Sequence, residues 1–208
     1  MFHPSLDEDL DPKLIFFCDG SAHTSKSKPT HSRAGAGIAS YRPDRDDAAK
    51  PGRIWALFAE KHTLAFDGEM LALTAVARHA RQWLLDHPNR WGIPVFFYSG
   101  SIAALNSIID PTSHHGQQFS LSFIQTVKEI LEELHSPVHM AWSPGHADVR
   151  GNELADAIAA RAVGRTSRSI RDHLGRAWFD VNTPLYNDVQ TILHEDAPHA
   201  TTFHASLA

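Results

Sequence analysis

The apolar residues of this chain fall first into three strand-like runs. Residues 13–19 form a continuous apolar run bounded by Gly20 and Ser21, which is typical of a buried strand. Segments 33–41 and 53–60 are also strand-like, and a charged turn separates them. This order predicts an antiparallel meander of three strands.

From residue 65 onwards, helix-like and strand-like segments alternate. Helices are predicted where apolar residues recur every three to four positions, and strands where apolar residues run together. The predicted helices cover 65–87, 102–109, 119–134 and 152–163, and the predicted strands cover 93–99 and 137–142. Because strands joined through a helix pair in parallel, we expect an α/β fold. Its mixed five-stranded sheet would combine the antiparallel meander with parallel strands, and helices would flank it.

Length and composition favour one domain with a tail at each end. A chain of 208 residues with 42% hydrophobic and 21% charged residues can bury one substantial core. We predict a tail over 1–12, a domain over 13–164, and a basic C-terminal extension over 165–208 with a helix around 187–194. The single cysteine, Cys18, lies in an apolar run and is expected to be a core thiol.

No apolar run is long enough to span a bilayer, and the start of the chain lacks the pattern of a signal peptide. We therefore expect an intracellular protein, nuclear or cytoplasmic, without a membrane partner. The 15 histidines are scattered without the spacing of a zinc site, so no dedicated zinc site is expected.

The charge distribution bears on nucleic-acid binding in two opposite ways. A formal net charge of −5 argues against a surface that binds nucleic acid over its whole extent, because phosphate binding depends on clustered Lys and Arg. One local stripe of five arginines is opposed only by Asp172. Its members are Arg161, Arg165, Arg168, Arg171 and Arg176. Such a stripe is as consistent with a solvated face as with a nucleic-acid surface.

Three acidic residues lie close to predicted apolar elements. Asp19 ends the first strand, Glu69 lies one turn inside the long helix, and Asp156 lies in the last helix. Taken singly, each has a commoner role: a turn residue before glycine, a first-turn residue favoured by the helix dipole, and a solvated helix residue. If they converge, however, an unpaired carboxylate would be costly or protonated, and a hard divalent cation would relieve that cost.

Four sequence motifs, taken in order, resemble those of ribonuclease H domains. They are Asp19-Gly20-Ser21, Phe66-Asp67-Gly68-Glu69, Phe97-Tyr98-Ser99-Gly100-Ser101, and Trp142-Ser143-Pro144-Gly145-His146 followed by Gly151-Asn152-Glu153-x-Ala155-Asp156. The order and spacing match over residues 13–163, and the last block, W-x-P-G-H-x-x-x-x-G-N-E-x-A-D, is specific. The motifs are most similar to ribonuclease H domains attached to reverse transcriptases of fungal retroelements, and the basic extra helix of some bacterial members is not found.

The resemblance implies two-metal-ion hydrolysis of the RNA strand of RNA/DNA hybrids, with Mg²⁺ as the cofactor and Mn²⁺ as a substitute. It also implies a reverse transcriptase domain of the same polyprotein as a partner. The residues carried over by position fall into three groups. The metal-binding residues would be Asp19, Glu69 and Asp156. His146 would assist proton movement or product release. The residues that contact the hybrid would be Gly20, Ser21 and Asn152. The 2′-hydroxyl distinguishes RNA from DNA at such contacts.

Gly100 departs from the family pattern, in which this position is a metal-binding aspartate. Glycine supplies no ligand, so we expect catalysis to be strongly reduced. A deliberate inactivating substitution, a natural pseudo-enzyme, and an acid relocated to Asp67 or Asp148 are alternative explanations. Ser101 lacks the G-x-S-x-G frame of a hydrolase nucleophile and is expected to cap a helix.

Two other functions remain open at this point. One is a catalytically silent ribonuclease H-like module that binds nucleic acid or a protein partner. The other is an unrelated metal phosphoesterase on a similar sheet.

Overall fold

The computed structural model describes residues 12–24, 32–41, 53–60, 64–110, 112, 117–145, 147 and 149–165. Several predictions fall outside the described residues. They are the tail over 1–11, the charged turn after the second strand, His146, Asp148, and the extension from 166 onwards with its arginines and its helix around 187–194.

Five strands of the described residues form one mixed sheet in the order β3-β2-β1-β4-β5. Their bounds are Leu14–Thr24 for β1, Ser32–Tyr41 for β2, Arg53–Glu60 for β3, Val95–Ser99 for β4 and Val138–Trp142 for β5. β1, β2 and β3 pair antiparallel, whereas β4 pairs parallel with β1, and β5 pairs parallel with β4. The predicted mixed α/β sheet is therefore present.

In the described part of the chain, four α-helices and one short 3-10 helix accompany the sheet. They are α1 at Ala65–Asp86, a 3-10 helix at Pro88–Arg90, α2 at Ile102–Ile109, α3 at Gln117–Glu132 and α4 at Arg150–Ala162. All four α-helices lie within two residues of their predicted ends. The hydroxyl of Ser101 accepts a hydrogen bond from the Ala104 N–H at 3.2 Å, so Ser101 is the N-cap that the sequence predicts. Within the described ranges, no helix is long and apolar enough to cross a membrane.

The main hydrophobic core lies between the sheet and the helices α1 and α3. Cys18 is fully buried in this core, as predicted. A smaller cluster lies between α4 and the opposite face of the sheet, where Phe17 packs against it. α4 comes so close to β2 because Gly37 has no side chain: a Cβ there would lie 1.8 Å from the Ala155 carbonyl oxygen.

β1 does not end at Gly20 and Ser21, and that prediction is wrong. Gly20 pairs with Ala36 and Ser21 with Gly35, so the strand continues to Thr24. The glycine serves a helix crossing rather than a turn, since a Cβ on Gly20 would lie 2.4 Å from the backbone nitrogen of Glu69. Because this strand position has no side chain, the first turn of α1 can pack directly against β1.

Candidate active site

The structure brings Asp19 and Glu69 together at the sheet edge where β4 ends. Asp19 lies on β1, partly exposed, and its Oδ1 accepts a hydrogen bond from the Gly20 N–H at 2.8 Å. Glu69 is buried in the first turns of α1. Its carboxyl group lies beside the Asp19 carboxyl, the Gly20 N–H and the Ser99 hydroxyl. Two of the three predicted acids therefore share one site.

The burial of Glu69 and its closeness to Asp19 govern its protonation. Burial, then the Asp19 charge, then the hydrogen bond to Asp19 raise the pKa of Glu69 to about 9, while Gly20 and Ser99 act in the opposite direction. Burial, with smaller contributions from Glu69 and Asp19, also raises the pKa of the Cys18 thiol. Near neutral pH, Glu69 therefore keeps a proton beside Asp19, and a divalent cation would favour the ionised form of both groups.

Gly100 lies directly after β4 and faces the same pair. A Cβ on Gly100 would lie 3.4 Å from Asp19 Oδ1 and 3.6 Å from Asn152 Oδ1, at or near ordinary van der Waals contact. Its φ is not in the left-handed region that favours glycine. The Trp142 indole N–H donates to the Gly100 carbonyl at 3.2 Å, an interaction that needs no particular side chain at position 100. A side chain here would point at Asp19, and the local backbone does not require glycine.

α4 contributes Asn152 and Asp156 on one side of the helix, because they are four residues apart. Asn152 is 1% exposed, and Asp156 is partly buried one turn further on. Within the described parts of the chain, however, no three Asp, Glu, His or Cys side chains lie close enough to hold one metal ion. The structure therefore joins Asp19 with Glu69 but does not add Asp156 to them, and its role stays a prediction.

The oxygen atoms at this site fit a hard cation. Glu69 Oε2 and Asn152 Oδ1 are buried, and neither has a hydrogen-bond partner among the described residues. Buried oxygen atoms are normally satisfied by a donor, a water or a cation. Carboxylate and amide oxygens are the ligands that Mg²⁺ and Mn²⁺ prefer.

Asp67 lies at the start of α1 and caps that helix. Its Oδ2 accepts a hydrogen bond from the Leu64 N–H at 2.7 Å, which caps the start of α1. Asp67 therefore caps the helix end through this oxygen, and its role as a relocated ligand stays a prediction. Asp148, the other candidate for a relocated acid, lies outside the described residues.

Two features at the site were not anticipated from the sequence. The buried hydroxyl of Ser99 contacts Glu69. Arg165, expected only as part of a basic stripe, donates from Nη1 to the Ser21 hydroxyl at 3.3 Å. The position of Ser99, immediately before Gly100 at a strand end, was the available signal for the first. No local pattern signals the second, because its partners are 144 residues apart.

Comparison with solved structures shows a ribonuclease H-like fold. LC9-RNase H1, a type 1 RNase H with the type 2 active-site motif, is 16% identical, with a TM-score of 0.51 over 80% of this chain and 82% of that chain. RNase H1 from the halophilic archaeon Halobacterium salinarum NRC-1 is 14% identical, with a TM-score of 0.51 over 74% of this chain and 99% of that one.

The foamy viral protease-reverse transcriptase in complex with an RNA/DNA hybrid is 17% identical, with a TM-score of 0.56. The match covers 79% of this chain but 22% of the viral chain. No family model matches the sequence, and no curated protein matches it. At these identities the likeness shows the fold, and the fungal retroelement origin stays a prediction.

Proposed function

We propose that this chain is a ribonuclease H-type domain that binds RNA/DNA hybrids beside Asp19 and Glu69, and that Gly100 strongly reduces its hydrolytic activity. The observation that carries the proposal is the position of Gly100, whose missing side chain would meet both Asp19 and Asn152. The ribonuclease H-like fold supports it. One matching structure, the foamy viral protein, holds an RNA/DNA hybrid.

In this proposal Asp19 and Glu69 hold the divalent cation through their carboxylates, and Asn152 offers a neutral oxygen. Asp156 is proposed as a further ligand from α4. When bound, Mg²⁺ or Mn²⁺ would activate water and stabilise developing charge on the phosphate. The Gly20 N–H and the Ser99 hydroxyl favour the ionised form of Glu69 that metal binding needs.

The residues proposed to contact the nucleic acid lie near the proposed metal-binding residues. Gly20 and Ser21 are proposed to contact the hybrid next to Asp19, and Arg165 adds a cation at the Ser21 hydroxyl. A guanidinium group can bind a backbone phosphate through two parallel hydrogen bonds. His146 is proposed to move a proton or assist product release. A reverse transcriptase domain of the same polyprotein stays the proposed partner.

The test is Gly100→Asp, assayed on labelled RNA/DNA hybrid with Mg²⁺ or Mn²⁺. The new carboxylate would enter the site beside Asp19 without a backbone shift. We expect the cleavage rate to rise by at least about 100-fold, the size of effect that one preorganised polar group has in an active site.

Gly100→Asn is the matched control, because it adds nearly the same volume without charge and should restore much less activity. Adding Asp19→Asn to the aspartate variant should abolish the gain. Cleavage by the unsubstituted protein at the rate of Gly100→Asp would contradict the proposed loss. Hydrolysis of small phosphate esters, with no action on hybrids, would favour an unrelated phosphoesterase.

A second candidate function is a catalytically silent module that binds nucleic acid or a protein partner. The raised pKa of Glu69 beside Asp19 favours it, because a carboxyl pair that keeps one proton carries less like-charge repulsion without a metal ion. This candidate predicts hybrid binding in EDTA and no cleavage even by Gly100→Asp. Metal-dependent cleavage by Gly100→Asp would show that the silent module is not the ancestral function.

A further inference from the structure

Four ring side chains form a continuous row on one face of the sheet. The rings of Phe17 and Tyr98 stack with centroids 4.9 Å apart, and those of Phe96 and His139 stack at 4.6 Å. Phe96 and Tyr98 connect the two pairs at 6.5 Å, with their planes 10° apart. The row therefore crosses β1, β4 and β5, and we call it the ring row.

The ring row lies on the face of the sheet that carries α4. Val95 and Phe97 point into the main core under α1, so the residues that alternate with them on β4 face the other way. Phe17 lies against the start of α4, because a Cβ on Gly151 would overlap the Phe17 ring. Within the described elements, α4 packs on β1, β2 and β3.

α4 therefore leaves the far end of the row partly uncovered. Phe96 and Tyr98 are partly exposed, and His139 is exposed. Sheets with parallel strands normally have both faces covered, because their strands carry apolar side chains on both sides. An apolar or aromatic covering group is the chemistry that suits stacked rings.

The described chain ends just after α4, on the same side of the sheet as the ring row. Gly164 adopts a left-handed conformation with φ +80°, and its N–H donates to the Arg161 carbonyl at 2.9 Å. The Arg165 N–H donates to the Ala160 carbonyl at 2.9 Å, which completes a helix-ending motif. The Arg165 side chain then reaches Ser21 on β1, so the last described residue lies within a side chain's reach of the sheet on the α4 side.

The remaining chain is long enough to cover the ring row. From Ser21 to His139 is six residues along the strands and two strands across, which is roughly 22 Å at about 3.3 Å per residue and about 4.8 Å per strand. Trp178 lies 13 residues after Arg165, from the difference 178 − 165, and an extended segment of that length spans roughly 43 Å.

We propose that residues 177–181 of this chain dock on the ring row, with Trp178 and Phe179 against Phe96, Tyr98 and His139. The segment reads Ala-Trp-Phe-Asp-Val and joins two adjacent aromatic residues to an aliphatic one. In this arrangement the C-terminal extension completes the second covering layer of the sheet. The occupant is a segment of the same chain, and the proposal is independent of the proposed catalytic function.

The test uses a pair of introduced cysteines in the full chain. Cys18 is the sole cysteine of the sequence and is fully buried, so it gives little background. His139→Cys with Phe179→Cys, treated with a short bismaleimide at low protein concentration, should form an intrachain cross-link seen by mass spectrometry. The control pair is Ile109→Cys with Phe179→Cys, since Ile109 is 79% exposed on α2, which packs with α1 and α3 on the other side.

We expect at least about a tenfold higher cross-linking yield for the His139 pair. In a chain that is otherwise unchanged, Tyr98→Ser should weaken the docking of residues 177–181 on the ring row and speed tryptic cleavage at Arg176. Equal yields from the two pairs would overturn the proposal. Cross-links found only between two copies of the chain would also overturn it. So would ring substitutions that weaken hybrid binding while tryptic cleavage at Arg176 stays unchanged, because nucleic acid would then be the occupant.

Discussion

Glu69 keeps a proton at neutral pH because its burial and the adjacent Asp19 raise its pKa to about 9. In the unfolded chain the same group returns to water and to an ordinary value of 4.5. Between these values the folded state binds more protons than the unfolded state. The stabilising contribution is therefore complete below pH 4.5 and is lost as the pH rises through about 9.

Glu69→Gln should remove this pH dependence. In EDTA, we expect the free energy of unfolding of the natural protein to fall between pH 5 and 9, and that of the variant to stay flatter, because glutamine cannot ionise. Urea unfolding across this range measures both. The exposed Glu132→Gln serves as the control and should follow the natural protein. Parallel curves for the natural protein and Glu69→Gln would contradict the assignment of the proton to this residue.

At the scale of helices and strands, glycines fix how closely the layers approach. A Cβ on Gly20 would meet the first turn of α1, and Cβ atoms on Gly35 and Gly37 would meet the backbone of α4. Main-chain atoms therefore touch directly at these crossings. Since α4 carries Asn152, its distance from the sheet also sets the geometry of the candidate site.

Gly37→Ala should destabilise the fold by about 1–3 kcal/mol or more, the usual cost of overpacking a tight contact. The added methyl group would overlap the Ala155 carbonyl, which is backbone and cannot rotate away. Chemical denaturation midpoints measure the effect. Gly145→Ala is the control, since among the described residues, its chain neighbours aside, no atom lies within 4 Å of its Cβ position. Equal midpoints for the two variants would show that α4 can move off β2 without cost.

The helices and strands could largely be predicted from the spacing of hydrophobic residues along the chain. α1 and α2 follow the helical repeat closely, and proline prevents α1 from continuing past His87. The end of β1 was missed because Gly20-Ser21 resembles a turn, whereas ten register pairs with β2 hold it extended.

The candidate site was predicted only in part. Motif spacing singled out Asp19 and Glu69, but it could not show that the two carboxyl groups lie close enough to raise the pKa of Glu69. It also could not show that Arg165 reaches Ser21. Such contacts depend on how distant segments meet in three dimensions, which periodicity along the chain does not encode.

At the scale of the whole molecule, the formal net charge is −5, so any affinity for a polyanion depends on where the cations lie. Arg165 lies at the end of α4 beside Ser21 and the candidate site. Arg90 lies in the 3-10 helix before β4, at the opposite end of that strand from Ser99. The two arginines therefore form a matched pair for testing the proposed binding side.

Arg165→Gln should weaken hybrid binding and lower the slope of log K against log salt by about 1, because one phosphate contact is lost. Arg90→Gln should change neither quantity. Fluorescence anisotropy with a labelled hybrid at several salt concentrations gives both values. If the two substitutions have equal effects, the hybrid does not bind at the Ser21 side.

The contact between Gly20 and the first turn of α1 has a consequence for sequence drift. It joins main chain to main chain, so the spacing of Asp19 and Glu69 is set by atoms that every sequence shares. Exchanges of apolar residues deeper in the protein can accumulate over generations without drawing these two carboxyl groups apart. A search for remote relatives should therefore give the strand-borne glycine after the first acid as much weight as the acids themselves.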